Sequence, residues 1–319
     1  MQPKEFLDKK YTPLEVAGIV EMATKDPDSL VERSERYYHH QVEAAMMLVK
    51  KNLPNYKFVL LCGPSASGKT TTAYKLKDSL IQNGVGARVV SMDDFFLGIK
   101  AYDKLPDGTP DMESIKALDL ELLNKCFGQL LRTGKSVLPT FNFEAQTQIR
   151  EARQVEIPEG GVLIMEGIHA LNPGVLCEIP RENVMHIYAS VRSKFVCGGE
   201  NILIPSDIRL MRRLVRDDKF RGYPPASTLQ AWENVLEGER KNINPYRDDV
   251  EIKLDNTIDY EVCVWHYMLQ SHLDIAGPEG YADHLAIERI FKGLMRFPSV
   301  DPAKIPEDSL LREFIGYSH

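Results

Sequence analysis

The sequence predicts an α/β fold, a parallel sheet flanked by helices, and three consecutive observations point to it. Phe58 to Cys62 (FVLLC) is a short, wholly apolar run of the kind that a strand covered on both faces requires. Gly63-Pro64-Ser65-Ala66-Ser67-Gly68-Lys69-Thr70 follows at once and fits the G-x-x-x-x-G-K-[ST] phosphate loop. Thr71 to Leu76 (TTAYKL) then opens a helix. Glycines let the backbone curl so that successive N–H groups point inward at phosphate oxygens, and the new helix adds its positive end. On this reading Gly63 to Thr71 are the nucleotide-binding stretch, Lys69 reaches the β- and γ-phosphates, and the Thr70 hydroxyl holds Mg²⁺.

The other elements follow in chain order. Residues 29–51 carry Leu30, Tyr37, Val42, Met46, Leu48 and Val49 at helical spacing and end at Asn52-Leu53-Pro54. The helix after the loop ends near Gly84-Val85-Gly86, and residues 87–92 (ARVVSM) read as the second strand. Asp93 and Asp94 stand at its C-terminal end, the side of a doubly wound sheet on which sites are built. One of them is a candidate base, and from position alone a loop cap is an equal reading. Residues 97–116 lack periodicity and read as a functional loop. Residues 119–133 then read as a helix. Residues 137–143 and 148–157 read as two strands of a hairpin around residues 144–147, with Pro139 implying an edge. Phe141 and Phe143 share one face of it, for core packing or for stacking on a planar ligand.

Val162 to Met165 is the next buried strand, and Glu166-Gly167 ends it. An acid at that place suits Mg²⁺, held through its water shell. Residues 184–189 are another central strand. In residues 207–221 (DIRLMRRLVRDDKFR), a step of about 100° per residue gathers Arg209, Arg212, Arg213 and Arg216 on one face. A solvated face normally alternates sign, so this stripe implies an anion opposite it. Residues 249–254 and 260–265 look strand-like. Residues 282–297 place Ile287, Ile290, Phe291 and Leu294 on one helical face, and residues 309–315 form a short terminal segment.

The chain has 319 residues, enough for one large α/β domain with extensions or two small domains. With 43% hydrophobic and 27% charged residues it has a soluble composition, and a net charge of −7 argues against a nucleic-acid surface built on overall charge. Five scattered cysteines without a C-x-x-C pair suit buried thiols in a reducing compartment rather than a metal site. With neither a signal core nor an apolar run long enough to span a bilayer, the expectation is a cytoplasmic protein with no membrane partner.

Taken together, phosphate loop, post-strand Asp, aromatic hairpin, strand-Glu-Gly and arginine helix resemble the uridine kinase/phosphoribulokinase family of P-loop kinases, with bacterial uridine-kinase-like nucleoside kinases as the nearest resemblance. The resemblance covers residues 57–265 and implies a P-loop NTPase-type sheet with a substrate-binding β-hairpin and an arginine-rich lid helix. Residues 1–56 and 266–319 become N- and C-terminal helical extensions, read as packing, a lid or the contacts of a homo-oligomer. The terminal SLLREFIG also looks like the end of those bacterial proteins.

In that family the Asp of S-x-D-x-F-Y takes the proton from the substrate hydroxyl, and Ser91-Met92-Asp93-Asp94-Phe95-Phe96 points to Asp93. The hairpin motif P-x-Y-D-F matches Pro139-Thr140-Phe141-Asn142-Phe143, and the strand-end E-G matches Glu166-Gly167. The lid's R-D and R-G match Arg216-Asp217 and Arg221-Gly222, with Arg213 also aligned. Asp111 resembles the acid that holds the ribose hydroxyls. Gln146 stands where uridine-cytidine kinases carry a pyrimidine-contacting His, Tyr223 replaces an Arg, and Phe96 and Phe141 replace two tyrosines of the nucleoside pocket. The catalytic frame is kept and the base-reading frame is altered.

The resemblance therefore implies transfer of the γ-phosphoryl of Mg-ATP to a small-molecule hydroxyl, with the 5′-hydroxyl of a nucleoside as the leading acceptor. Asp93, Lys69, Arg213, Arg216 and Arg221 would be catalytic, and Thr70 and Glu166 would hold Mg²⁺. Asp93, Phe96, Asp111, Phe141, Phe143, Gln146, Arg213 and Arg216 would contact the acceptor. The rivals are a kinase for another hydroxyl compound, such as a sugar, a pantothenate-like molecule or a phosphopentose, and a non-catalytic ATP-binding regulatory protein.

Overall fold

The structure, a computed structural model, describes residues 2–7, 13–53, 55–105, 108–275 and 285–317. Before the sheet come α1 (Pro3–Leu7), β1 (Leu14–Glu15), α2 (Val16–Lys25) and α3 (Pro27–Lys51). Asp26 starts α3 by accepting from the Ser29 N–H, with Pro27 in the first turn where its missing donor costs nothing. The buried stripe of α3 includes Leu30, Tyr38, Val42, Met46 and Val49. Tyr37, expected in that stripe, is 49% exposed, and its neighbour Tyr38 takes the inward place.

The central sheet is built from β2 (Phe58–Cys62), β3 (Ala87–Ser91), β6 (Val162–Gly167), β7 (Val184–Ser190) and β10 (Ile252–Asp255). Its order is β10-β7-β2-β6-β3, parallel throughout. β2 leads outward to β3 and β6 on one side, then to β7 and β10 on the other, so the strand order reverses at its C-terminal end, where such sheets open a crevice. The sheet is covered on both faces. Val59 and Leu61 join one core with α3 and α4 (Lys69–Gln82), while Phe58, Leu60 and Cys62 join a second with α5 (Leu120–Thr133).

The hairpin β4 (Lys135–Asn142) and β5 (Thr147–Glu156) forms its own two-stranded antiparallel sheet, and its register shifts between Leu138 and Thr140, around Pro139. A small sheet of β1, β8 (Phe195–Cys197) and β9 (Glu200–Leu203) lies apart from the central one. α6 (Pro205–Arg221) is the arginine helix, and it ends on Gly222 in the left-handed conformation at φ +66°. α7 (Pro225–Asn242), which the sequence reading passed over, packs on α6.

Residues 260–265 depart most from expectation, because they open a helix, α8 (Glu261–Ile275), rather than a strand. Val262, Cys263, Val264 and Trp265 are all fully buried. A helical turn enclosed on every side shows a continuous apolar run, which periodicity cannot separate from a buried strand. The expected terminal helix is observed as α9 (Leu285–Leu294), with residues 282–284 of that expectation outside the described residues, and α10 (Arg312–Ile315) lies within the predicted terminal segment.

Candidate active site

The phosphate loop leaves β2 at the crevice and is shaped by close backbone contacts. A Cβ on Gly63 would stand 2.1 Å from the Ala189 carbonyl oxygen at the end of β7, so only glycine fits. Ala66 and Gly68 both take left-handed φ values, +59° and +81°, which turn the chain into the concave form that gathers N–H groups. The Ser67 Oγ is buried inside this curve without a partner among the described residues. From below, Asn256 donates to the Ser67 carbonyl at 2.9 Å and to the Thr72 Oγ1 at 2.9 Å, fixing the loop against the first turn of α4.

Two carboxylates reach the same point from neighbouring strands. Ser91 and Glu166 are register partners of β3 and β6. The Glu166 carboxylate accepts from the Ser91 hydroxyl at 2.8 Å and from the Thr70 hydroxyl at 3.2 Å. Thr70 and Glu166, predicted from separate motifs, are thus bonded to one another. A hydroxyl and one carboxylate are hard oxygen donors of the number that Mg²⁺ accepts from protein while keeping its waters, so the pair fits that ion.

Beyond Ser91 a 3₁₀ turn spans Met92–Phe95 and carries both Asp93 and Asp94. Asp94 is engaged by the hairpin, accepting from Thr140 at 3.2 Å and from Arg153 at 2.5 Å. Asp93 instead lies within the field of the Lys69 charge. Burial pushes its carboxyl above the ordinary range, opposed by the Lys69 charge, and the Glu166 carboxyl is raised for the same reasons. Lys69, Asp93 and Glu166 therefore share one electrostatic environment.

The arginine stripe divides into two groups. Arg209 pairs with Glu239 at 2.5 Å, and Arg212 grips Glu261 through two bonds of 2.7 and 2.8 Å, both arginines being buried. Each also donates to the loop backbone at 3.4 Å, Arg209 to the Ser65 carbonyl and Arg212 to that of Ala66. These two brace the loop, and the carboxylates of Glu239 and Glu261 are the anions opposite them. Arg213, Arg216 and Arg221 instead converge on Asp217 at 3.1, 2.7 and 3.6 Å. Arg213 also donates to the Ser65 hydroxyl at 3.0 Å, which carries this group to the loop's rim. Burial and mutual repulsion hold Arg213 and Arg221 below the usual guanidinium range.

On the hairpin side, the Phe96 and Phe141 rings meet edge-on at 5.8 Å and are buried, while Phe143 contacts Phe141 at 5.1 Å but is 57% exposed. Gln146 adopts φ +52° in the hairpin turn and donates its amide to the Phe143 carbonyl at 2.7 Å, so it shapes the turn. Asp111 accepts from the Glu113 N–H at 3.1 Å and holds the bend before that residue. Glu113 packs against Gly238 of α7. Burial pushes its carboxyl up to about 7, against the pull of Arg213 and Lys69. Tyr102 packs on Phe96 at 6.2 Å, and its buried hydroxyl has no partner among the described residues. Its pKa is pushed up to about 12, first by burial and then by the Asp93 charge. Glu113 and Tyr102 escaped the sequence reading because both sit in the aperiodic segment, where spacing carries no information.

With this geometry in place, residues 58–179 match the family model described as Phosphoribulokinase / Uridine kinase family. The chain is similar to the uridine kinase of Ureaplasma parvum serovar 3, at 22% identity over 194 residues, which are 58% of this chain and 84% of that one. It is 30% identical to uridine-cytidine kinase A of Dictyostelium discoideum over 211 residues, 66% of this chain and 36% of that one. Among solved structures, D-glycerate 3-kinase from Cryptococcus neoformans aligns with a TM-score of 0.33 at 18% identity, covering 86% of this chain and 87% of that one.

Proposed function

We propose that this chain, a uridine kinase/phosphoribulokinase-like P-loop kinase, transfers the γ-phosphoryl of Mg-ATP to a hydroxyl of a small molecule, with a nucleoside 5′-hydroxyl as the acceptor. The observation that carries this reading is the division of labour at the end of β3. Asp94 is spent on Thr140 and Arg153, while Asp93 stands with Lys69 and Glu166 at the mouth of the loop. A protein that only bound nucleotide would need no such acid.

In the proposed reaction the loop amides and Lys69 would hold the phosphates, and Thr70 and Glu166 would hold Mg²⁺, which when bound would neutralise phosphate charge. Asp93 takes the proton as the acceptor oxygen bonds to the γ-phosphorus, and the bond to the β-bridging oxygen breaks to leave ADP. Arg213, Arg216 and Arg221 close over the transferring group and exclude water. Glu113 and the Tyr102 hydroxyl face the acceptor, with Phe96 and Phe141 as its apolar wall. A carboxyl that titrates near 7 both donates and accepts, which suits neighbouring hydroxyls.

A second reading, a kinase for another hydroxyl compound, is favoured by the same wall. Phe96 and Phe141 are buried, and Gln146 turns its amide to the hairpin backbone. A phosphorylated acceptor fits less well, because Arg153, the cation beside Asp94, is already paired.

A panel of nucleosides, sugars and pantothenate offered with Mg-ATP, read as ADP release against an acceptor-free control, tests the proposal. Nucleosides are expected to stimulate release, and Asp93→Asn is expected to lower it by about 10²–10⁴ with ATP binding retained. Turnover unchanged by Asp93→Asn would remove the assigned base.

A further inference from the structure

Residues 309–316 lie across the nucleotide cradle. Leu310, Leu311 and Phe314 are fully buried. The Leu310 side chain packs so close to Gly68 that a Cβ there would come within 2.7 Å of it. Further along, the Arg212 guanidinium stacks 5.1 Å over the Phe314 ring, and Lys219 at the end of α6 donates to the Ile315 carbonyl at 2.6 Å. The segment is thus a strap that joins the loop to the lid helix.

Glu313 occupies the middle of the strap and meets the first turn of α4. The Thr71 N–H donates to its carboxylate at 3.2 Å, and the Thr71 hydroxyl donates to the same oxygen at 2.6 Å. α4 carries no acid in its own first turn, and its N-cap Gly68 has no side chain to offer. The helix end that collects phosphate in this class of loop is therefore already bonded to an anion supplied from the far end of the chain.

We propose that Glu313 is an internal occupant of a nucleotide phosphate seat, the one nearest the start of the triphosphate, and that nucleotide binds by displacing it. The inference rests on the reading of Gly63 to Thr71 as a triphosphate cradle. Two negative groups cannot share the Thr71 donors, so binding must break the Glu313 contacts and loosen the strap. Because the strap also holds Lys219, two residues before Arg221, its release frees the end of the lid helix when the cradle fills.

The test uses the full chain and the isosteric variant Glu313→Gln, with binding of Mg-ADP and of adenosine measured by calorimetry. The variant is expected to bind Mg-ADP roughly five- to thirtyfold more tightly, as befits removal of one charge competing at a helix end. Adenosine, which lacks phosphate, is expected to bind both proteins equally. In the unaltered protein, saturating Mg-ADP is expected to speed backbone hydrogen exchange in residues 309–316. Equal or weaker ADP binding by the variant, or a strap that becomes more protected with ADP, would overturn the proposal and leave Glu313 as a plain helix cap. If the unaltered protein bound no adenine nucleotide, the cradle reading would fall and this inference with it; ADP binding indifferent to Glu313 sinks the inference alone.

Discussion

Arginines a single turn apart on α6 meet opposite fates. Arg209 and Arg212 each own a carboxylate, the partly buried Glu239 and the fully buried Glu261. Arg213, Arg216 and Arg221 all pair with Asp217, three guanidinium groups on one carboxylate. A pair matched one to one is a strut, because taking either member away strands a charge in a place without water. An oversubscribed anion leaves donors free to turn to a more negative guest. The contrast teaches that sign and spacing in sequence mark where cations gather, while the number of buried carboxylates opposite them decides which belong to the framework and which to the chemistry.

The largest effect that would break this contrast is expected at Arg216. Arg216→Ala should lower kcat by about 10³–10⁵, with denaturant stability changed by no more than about 1 kcal/mol. A kcat within tenfold of the parent would place Arg216 among the struts. Next comes Arg212→Met, expected to cost about 3–5 kcal/mol in urea unfolding, because Glu261 is left buried and unpaired. Replacing Glu261 by Leu in the same chain should recover most of that loss. Failure of the double variant to recover would mean that Arg212 stabilises through the Ala66 and Asn256 carbonyls instead.

Glu113 extends the comparison to an acid raised by burial, and its effect is the smallest. Its folded value of about 7 lies above the ordinary 4.5, so the native state binds its proton more tightly than the unfolded chain does. The stability this provides is complete below about pH 4.5 and is lost as pH rises through 7. Glu113→Gln should therefore match the parent near pH 4.5 and exceed it by at most about 3 kcal/mol at pH 8. Thermal unfolding across that window checks the sign. The same variant is expected to raise the acceptor KM more than it lowers kcat.

What is legible in the sequence is what local chemistry determines. Residues 58–70 must form strand, loop and helix start almost whatever surrounds them, and Glu166 and Thr70 could be read separately and then found bonded. Asp93 and Asp94 could not be told apart by position, because the choice depends on Arg153 and Thr140 of the hairpin, many residues downstream. The face of α6 was visible, yet its division was not, since Glu239 and Glu261 come from later helices. α8 looked like a strand because burial of its whole first turn erases the polar stripe by which a helix is recognised. Tyr102 and Glu113 lie in a segment without period, and the contact between Thr71 and Glu313 joins residues 242 positions apart.

That last contact has a consequence for how the protein is made. Thr71 meets a residue 242 positions downstream, so at ordinary translation speeds roughly 12–50 s separate their synthesis. During that interval Ala189, Arg212 and Asn256 emerge and can shape the loop, so the strap is the last of these braces to be made.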